Sequence, residues 1–242
     1  MRRFNPGRLL AAGLAVCMLA LAMPTASANQ LDDIVSRKKV RIGIDLGVPP
    51  YGFSNKEQKP DGYDVDVAKL MAKDLGAELQ IVPLTGPNRI PYLLTNKVDV
   101  VIATFGITPQ RALAVAFSDP YVALSLVVVG PKDRKISDMA ETKGFKVGVT
   151  RGTTQDLDFT RLAPPGSQII RFEDDATTTA AILSGQVDVV ATADLIAADL
   201  AKRSGGKLET KFPIRFSPGA IGVRRGDPDF LRWVDTFVYF HK

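Results

Sequence analysis

Arg111 is the residue whose type and sequence context most clearly indicate a binding role. It lies in the segment Thr108-Pro109-Gln110-Arg111, where Thr108 is a favourable N-cap and Pro109 suits the first position of a helix. A cation in the first turn opposes the helix dipole, so Arg111 is either a solvated surface residue or the partner of an anion. Because a planar guanidinium binds a carboxylate through two hydrogen bonds, we favour a ligand carboxylate as that partner.

A second segment, Arg151-Gly152-Thr153-Thr154-Gln155-Asp156, is predicted to join a strand to a helix. Thr153 and Asp156 have the spacing of a capping box, and the N–H groups at such a helix start bind anions. Capping needs only one of the two threonines, so Thr154 is free to face a ligand.

Three more polar residues lie at or just after the ends of predicted strands. Asp194 comes just after the strand at residues 187–192, where it is either the N-cap of the next helix or the counter-ion of a ligand ammonium group. Asp45 ends the first predicted strand. Tyr51 follows it within Val48-Pro49-Pro50-Tyr51, and is either a core residue or a wall for the ligand side chain.

Histidine and cysteine, on which many catalytic and metal sites depend, are nearly absent. The only histidine is His241 and the only cysteine is Cys17, which argues against Ser–His–Asp or Cys–His catalysis and against zinc sites. Carboxylates remain, but the pair Asp64 and Asp66 and the cluster at residues 173–175 lie at predicted helix starts, where acids complement the dipole. We therefore predict a binding protein that is not an enzyme and has no cofactor or metal.

Short strand-like runs alternate with helical patterns along the chain, which predicts an α/β fold with largely parallel strands. The first series has strands at residues 40–45, 78–84 and 98–103 and helices at residues 62–76 and 89–96. The second series has strands at residues 145–149, 168–172 and 187–192 and helices at residues 154–162 and 176–184. Two similar series indicate two lobes of similar construction.

The chain is expected to cross between these lobes twice. An apolar run ends at the breaker Gly130-Pro131, and Phe216-Ser217-Pro218-Gly219 is expected to break the chain before a last strand and a helix capped by Asp227. The crossings near residues 128–131 and 215–219 would form a hinge. We predict a first lobe of residues 38–128 and 218–242, a second lobe of residues 131–214, and a ligand cleft between them.

Residues 1–28 have the features of a cleaved secretory signal peptide. Three arginines precede an uncharged apolar run at residues 9–23, and Ala26-Ser27-Ala28 is a small-residue cleavage site. The run is shorter than the roughly 18–20 apolar residues of a membrane-spanning helix. Lipoprotein processing at Cys17 is the alternative, but Val16 fits it poorly, so we predict cleavage after Ala28 and a periplasmic location.

Removal of residues 1–28 changes the charge balance. It leaves 28 basic residues against 26 acidic ones, and it leaves no cysteine. A nearly neutral chain gives no reason to expect nucleic-acid binding, and the mature chain can form no disulfide.

Eight segments of the chain, when they are taken together, are characteristic of one protein family. They are RIGID (41–45), PPY (49–51), GYDVD (62–66), VDVVIAT (98–104), ITPQR (107–111), AFSDPY (116–121), KVGVTRGTT (146–154) and GVRRGD (222–227). With them, the chain from about Val40 onward resembles the family 3 extracellular solute-binding proteins, the polar amino-acid receptors of ABC importers. The resemblance implies a two-lobed type II periplasmic binding protein fold with a hinge of two crossings. It also implies a monomer that closes on a polar amino acid and meets the permease subunits of an importer.

The resemblance also implies how the ligand backbone is held. Arg111 matches the family arginine that binds the α-carboxylate, and Thr154 matches the hydroxyl beside it. Thr104 and Gly106 match strand-end residues that contact the α-amino and carboxylate groups. Asp194 matches the acceptor of the α-ammonium group.

The ligand side chain is less clearly specified by the resemblance. Asp45 and Tyr51 lie where the family distinguishes side chains, and Arg89 matches an arginine of the acidic amino-acid branch. Asp45, however, replaces a basic residue of glutamate and aspartate receptors, and Val48 replaces an aromatic residue of lysine and arginine receptors. Family members also continue with another helix beyond a segment like residues 237–242, so a truncated chain is a further expectation.

Two other functions stay open at this point. One is an exported lyase similar to cyclohexadienyl dehydratase on the same fold, and the other is the sensing module of a receptor. The combination of Arg111, Thr154 and Asp194 favours amino-acid capture, because these residues satisfy both charges of a zwitterion.

Overall fold

The computed structural model describes residues 29–242. The predicted signal peptide, its cleavage site after Ala28 and the residue Cys17 lie outside the described residues. The α-helices of the described range are α1 (Gln30–Arg37), α2 (Tyr63–Asp74), α3 (Arg89–Leu94), α4 (Pro109–Ala112), α5 (Thr154–Leu162), α6 (Asp175–Leu183), α7 (Asp194–Arg203) and α8 (Pro228–His241).

The strands occur between these helices in the alternation that the sequence predicts. They are β1 (Lys39–Asp45), β2 (Gly47–Val48), β3 (Gly52–Ser54), β4 (Pro60–Asp61), β5 (Glu78–Leu84), β6 (Val100–Gly106), β7 (Val115–Pro131), β8 (Lys146–Thr150), β9 (Gln168–Phe172), β10 (Val189–Ala193) and β11 (Leu208–Arg224). One-turn 3-10 helices lie at Gly86–Asn88 and Ala140–Thr142.

Eight strands form one mixed sheet, in the order β5-β1-β6-β11-β7-β10-β8-β9. Strand β1 pairs in parallel with β5 and β6, and β8 pairs in parallel with β9 and β10. The long strands β7 and β11 are antiparallel to each other and join the two parallel groups. The predicted α/β class is confirmed, and two strands pass from one group to the other.

Side-chain caps fix the starts of several helices. Thr108 caps α4 by accepting a hydrogen bond from the N–H of Arg111 at 3.1 Å, and Asp227 caps α8 by accepting one from the N–H of Phe230 at 2.9 Å. Both caps are the ones that the sequence predicts, because a short polar side chain before a proline satisfies a free N–H group of the first turn.

The predicted break at residues 216–219 is wrong. Strand β11 runs from Leu208 to Arg224 without interruption, and Ser217, Pro218 and Gly219 pair with Leu124, Ala123 and Val122 of β7. Register shifts on both sides of this stretch, at Pro213/Arg215 and at Gly219/Ala220, accommodate residues that interrupt a regular ladder.

The packing partners of β7 change along its length. Tyr121 packs against the buried cluster that contains Ile42, Val100 and Phe230, whereas Val122 packs against a second cluster on the other group of strands. Within residues 29–242, no helix has both the length and the apolar character needed to cross a membrane.

Candidate functional site

Six of the eight predicted site residues line one cavity. It lies beyond the carboxyl end of β6 and faces the N-terminal turns of α5, α6 and α7. These six residues are Tyr51, Arg89, Thr104, Gly106, Arg111 and Thr154. The free volume of the cavity is about 20 Å³, which is close to the space that one water molecule needs.

Arg111 is a buried cation and not a solvated surface residue. Its Nη1 donates to the carbonyl oxygen of Gly106, and its Nη2 donates to the carbonyl oxygen of Gly152 at 2.6 Å. Within the described part of the chain, no carboxylate forms an ion pair with it. Burial, followed by the charges of Arg89 and Arg215, lowers the pKa of Arg111 to about 9. An anion at this position would stabilise the guanidinium.

Arg89 is also buried, but it has an acidic partner. Its Nη2 lies 3.4 Å from Oδ2 of Asp45, and the two residues are 4% and 2% exposed. Burial raises the pKa of Asp45, while the Arg89 charge acts to lower it. Within the described residues, the Nε of Arg89 is buried and has no hydrogen-bond partner. Asp45 therefore reaches the cavity through Arg89 and does not line it.

Both guanidinium groups lie against the ring of Phe105. The Cζ atom of Arg111 is 5.1 Å from the ring centroid and that of Arg89 is 5.9 Å from it. A buried aromatic ring attracts cations through its quadrupole and fixes where they lie. Phe105 separates Thr104 from Gly106 in β6, yet nothing in its sequence context indicates this role.

Thr154 reaches the cavity because Gly106 has no side chain. A Cβ atom at Gly106 would lie 2.6 Å from Cγ2 of Thr154. Thr153 caps α5 by accepting from the N–H of Asp156 at 3.3 Å, but the second half of a capping box is displaced by one residue, since Asp156 accepts from the N–H of Gly152 at 2.9 Å and not from that of Thr153. Capping by Thr153 leaves the Thr154 hydroxyl for other contacts, as the sequence predicts.

Asp194 lies beside the cavity and does not line it. It is the first residue of α7, preceded by Ala193 at the N-cap position, so it is not the N-cap that the alternative interpretation required. Its Oδ1 accepts from the N–H of Leu195 at 2.9 Å. Burial, followed by the Asp194 charge, raises the pKa of Tyr51, which lines the cavity wall.

Asp175 is a cavity residue that sequence reasoning missed. Only 5% of it is exposed, and its Oδ1 accepts from the hydroxyl of Thr150 at 2.8 Å. Burial, followed by the Asp45 charge, raises the pKa of Asp175 to about 6. The neighbouring Asp174 caps α6 by accepting from the N–H of Thr177. A run of three acids at a helix start does not show which of them is turned inward.

A mixed sheet whose two parallel groups are joined by two long strands, with a charged cavity at the strand ends, is an arrangement that suits the binding of a small polar ligand. Residues 40–241 match the family model described as "Bacterial extracellular solute-binding proteins, family 3". The chain belongs to this family.

Relatives with different ligands resemble the chain to a similar degree. The glutamine-binding protein of Geobacillus stearothermophilus is 32% identical over 184 residues, which are 74% of this chain and 70% of the relative. A structure of arginine-bound ArgBP from T. maritima superposes with a TM-score of 0.81 at 31% identity and covers 88% of this chain and 100% of the other. AncCDT-1, an ancestral amino acid-binding protein described as a precursor of cyclohexadienyl dehydratase, has a TM-score of 0.81 at 33% identity, with 87% and 92% coverage.

Proposed function

We propose that this chain captures a polar amino acid in the periplasm and presents it to the permease of an ABC importer. Family membership and the amino-acid ligands named for its relatives support the proposal. The observation that carries it is the buried guanidinium of Arg111, which has carbonyl partners but no carboxylate partner among the described residues. A ligand carboxylate would supply the missing charge.

In this proposal the zwitterion lies between Arg111 and Asp194. The α-carboxylate is bound by Arg111, with the Thr154 hydroxyl and the Gly106 backbone beside it. The α-ammonium group is bound by Asp194 and Thr104. The ligand side chain extends toward the residues Tyr51, Arg89 and Asp175 of the cavity wall, and Asp45 lies behind Arg89 as its ion-pair partner.

We further propose that two lobes close on the ligand by bending at a hinge. An amino acid needs far more room than about 20 Å³, so it can enter only if the cavity opens. The lobes are those proposed from the sequence, residues 38–128 with 218–242 and residues 131–214. The change of packing partner between Tyr121 and Val122 favours one revision of these bounds, in which the first segment of lobe 1 ends near residue 121 instead of residue 128.

A ligand screen tests the proposed function directly. We expect at least one polar amino acid to raise the melting temperature of the protein, because a ligand that binds only the folded state stabilises it. The twenty amino acids are compared by thermal shift, and the best is titrated by calorimetry. Small-angle scattering should then give a smaller radius of gyration for the protein with that ligand than for the protein without it. Absence of any shift with all twenty would contradict the proposal.

The alternative is an exported lyase similar to cyclohexadienyl dehydratase. The specific observation in its favour is Asp175, a cavity carboxyl whose raised pKa suits proton transfer near neutral pH. Turnover of prephenate or arogenate would support this alternative. Binding of an amino acid without turnover of either compound would support capture.

Export is part of the proposal. We propose that the chain is cleaved after Ala28 and acts as a monomer. Mass spectrometry of the periplasmic protein should find Asn29 at the N-terminus, and a lipid on Cys17 would contradict this.

A further inference from the structure

Thr104 has an unusual backbone conformation for a residue of its type. Its φ is +45°, in the left-handed region that β-branched residues rarely adopt, although it lies within β6 and lines the cavity. Such a conformation is costly and persists only where the surrounding structure holds it. Some neighbouring group must therefore stabilise the backbone of Thr104.

Two hydrogen bonds in series supply that stabilisation. The N–H of Thr104 donates to the hydroxyl oxygen of Tyr121 at 3.0 Å, and this hydroxyl donates to Oδ1 of Asp64 at 2.7 Å. Asp64 is 1% exposed. The bond to a carboxylate is charge-assisted, and it polarises the hydroxyl so that its oxygen becomes a better acceptor.

Asp64 is itself fixed to the cavity wall. It is the second residue of α2, and its N–H donates to the carbonyl oxygen of Tyr51 at 2.8 Å. The Tyr63 ring is stacked on the Tyr121 ring with centroids 6.0 Å apart. These contacts connect the start of α2 to the cavity wall and to the point where β7 changes its packing partner.

We propose that Asp64 and Tyr121 are positioning residues for the ligand site. They hold the left-handed backbone of Thr104, and thereby set the direction of the Thr104 side chain and of the following residues, Phe105 and Gly106. The inference rests on the proposed function, because it takes an amino acid as the ligand of this cavity.

The charge state of Asp64 then matters for binding. Burial raises the pKa of Asp64 to about 7, against the lowering effects of the Tyr121 hydrogen bond and the Arg89 charge, and Asp45 raises it further. The ionisable groups that face Asp64 are these three together with Tyr51 and Tyr63. Protonation weakens the bond from Tyr121, so we expect ligand affinity to fall as the pH drops below about 7.

The first test removes a single hydroxyl group. Tyr121→Phe keeps the ring and its stacking on Tyr63, and we expect it to weaken binding of the best amino acid about three- to tenfold in calorimetric titration. Tyr63→Phe is the matched control. Among residues 29–242 the Tyr63 hydroxyl donates to the carbonyl oxygen of Tyr121 alone, at 3.3 Å, and its loss should change affinity less than about twofold. Equal affinities for wild type and Tyr121→Phe would overturn the proposal.

A double-mutant cycle separates positioning from general destabilisation. Glycine adopts positive φ without help, so Thr104→Gly needs no hydrogen bond to hold its backbone. Thr104→Gly itself is expected to weaken binding, because it removes a cavity side chain. In that background Tyr121→Phe should change affinity less than about twofold. The same loss in both backgrounds would mean that Tyr121 does not act through Thr104.

The pH profile provides a second, independent measurement. The dissociation constant of wild type should rise as the pH is lowered from 8 to 5.5. In Asp64→Asn the dissociation constant should depend less on pH. Asp66→Asn is the control, because Asp66 lies in the same helical turn but is exposed and paired with Lys69. If Tyr121→Phe does not fold, the pH profiles of the two asparagine variants test the proposal in its place. A pH profile of Asp64→Asn that equals that of wild type would overturn the proposal. A wild type that binds no amino acid would contradict the proposed function instead.

Discussion

Arg89 and Arg111 are both buried guanidinium groups against the ring of Phe105, yet their partners differ. Arg89 has a buried carboxylate, Asp45, whereas Arg111 has two backbone carbonyls and no carboxylate among the described residues. A buried charge is stable only when it is compensated. The compensation of Arg89 is built into the fold, and that of Arg111 is left for a ligand. Removing partners should therefore affect folding at one site and binding at the other.

The largest effect is expected for Asp45→Asn, measured on the unliganded protein. It leaves Arg89 buried without its ion-pair partner, which typically lowers the free energy of unfolding by about 3–5 kcal/mol. Urea unfolding measures the change, and the exposed Asp66→Asn is the control. The double variant Asp45→Asn/Arg89→Met should regain most of the stability, because neither member of this buried ion pair is then charged. A loss below about 1 kcal/mol would mean that water already solvates Arg89.

Arg111→Ala should give the next largest effect, and the effect should be on binding. Loss of the main partner of a desolvated carboxylate typically costs about 2–5 kcal/mol, or roughly thirtyfold to several thousandfold in affinity. Calorimetric titration with the best amino acid measures it. The unliganded variant should melt close to wild type, because loss of two hydrogen bonds is offset by loss of an unpaired buried cation. A large fall in melting temperature would make Arg111 structural.

Arg111→Lys sharpens the comparison by keeping the charge and changing the geometry. An ammonium group cannot make the two parallel hydrogen bonds of a guanidinium, so we expect a smaller loss, roughly tenfold in affinity. The comparison with Arg111→Ala under the same conditions separates charge from shape. Equal affinity for Arg111→Lys and wild type would mean that charge alone holds the ligand.

The order of the elements was predictable from the sequence because hydrophobic periodicity and capping are local. The helix capped by Thr108 and the helix that begins at Thr154 are present where the sequence places them. The continuous strand β11 was not predictable, because Pro218 and Gly219 are local breaking signals. Pairing with the distant strand β7 overrides those signals.

The cavity was only partly predictable for a related reason. Strand ends and helix starts indicate where polar side chains gather, and six of the eight predicted residues line the cavity. Asp64 and Asp175 have the same local signature as exposed acids at helix starts. Their burial depends on tertiary contacts with Tyr121 and Thr150, which no spacing along the chain reveals.

Asp175 extends the comparison to a buried carboxylate that has no guanidinium partner among residues 29–242. Burial raises the pKa of Asp175 to about 6, from a usual value near 3.8, so the folded state holds this proton more tightly than the unfolded state. The stabilisation is fully present below about pH 4 and is lost as the pH rises through about 6. We expect the free energy of unfolding of the unliganded protein to fall over this range by up to about 3 kcal/mol more in wild type than in Asp175→Asn, because each unit of pKa shift is worth about 1.4 kcal/mol. The asparagine keeps an acceptor for the Thr150 hydroxyl. Asp64 is present in both proteins and contributes equally to both. The difference between the urea-unfolding free energies of wild type and Asp175→Asn, measured at a series of pH values, therefore reports the contribution of Asp175. The exposed Glu173→Gln serves as the control. Parallel pH profiles for wild type and Asp175→Asn would show that Asp175 is ionised throughout and that the cavity is wetter than its burial indicates.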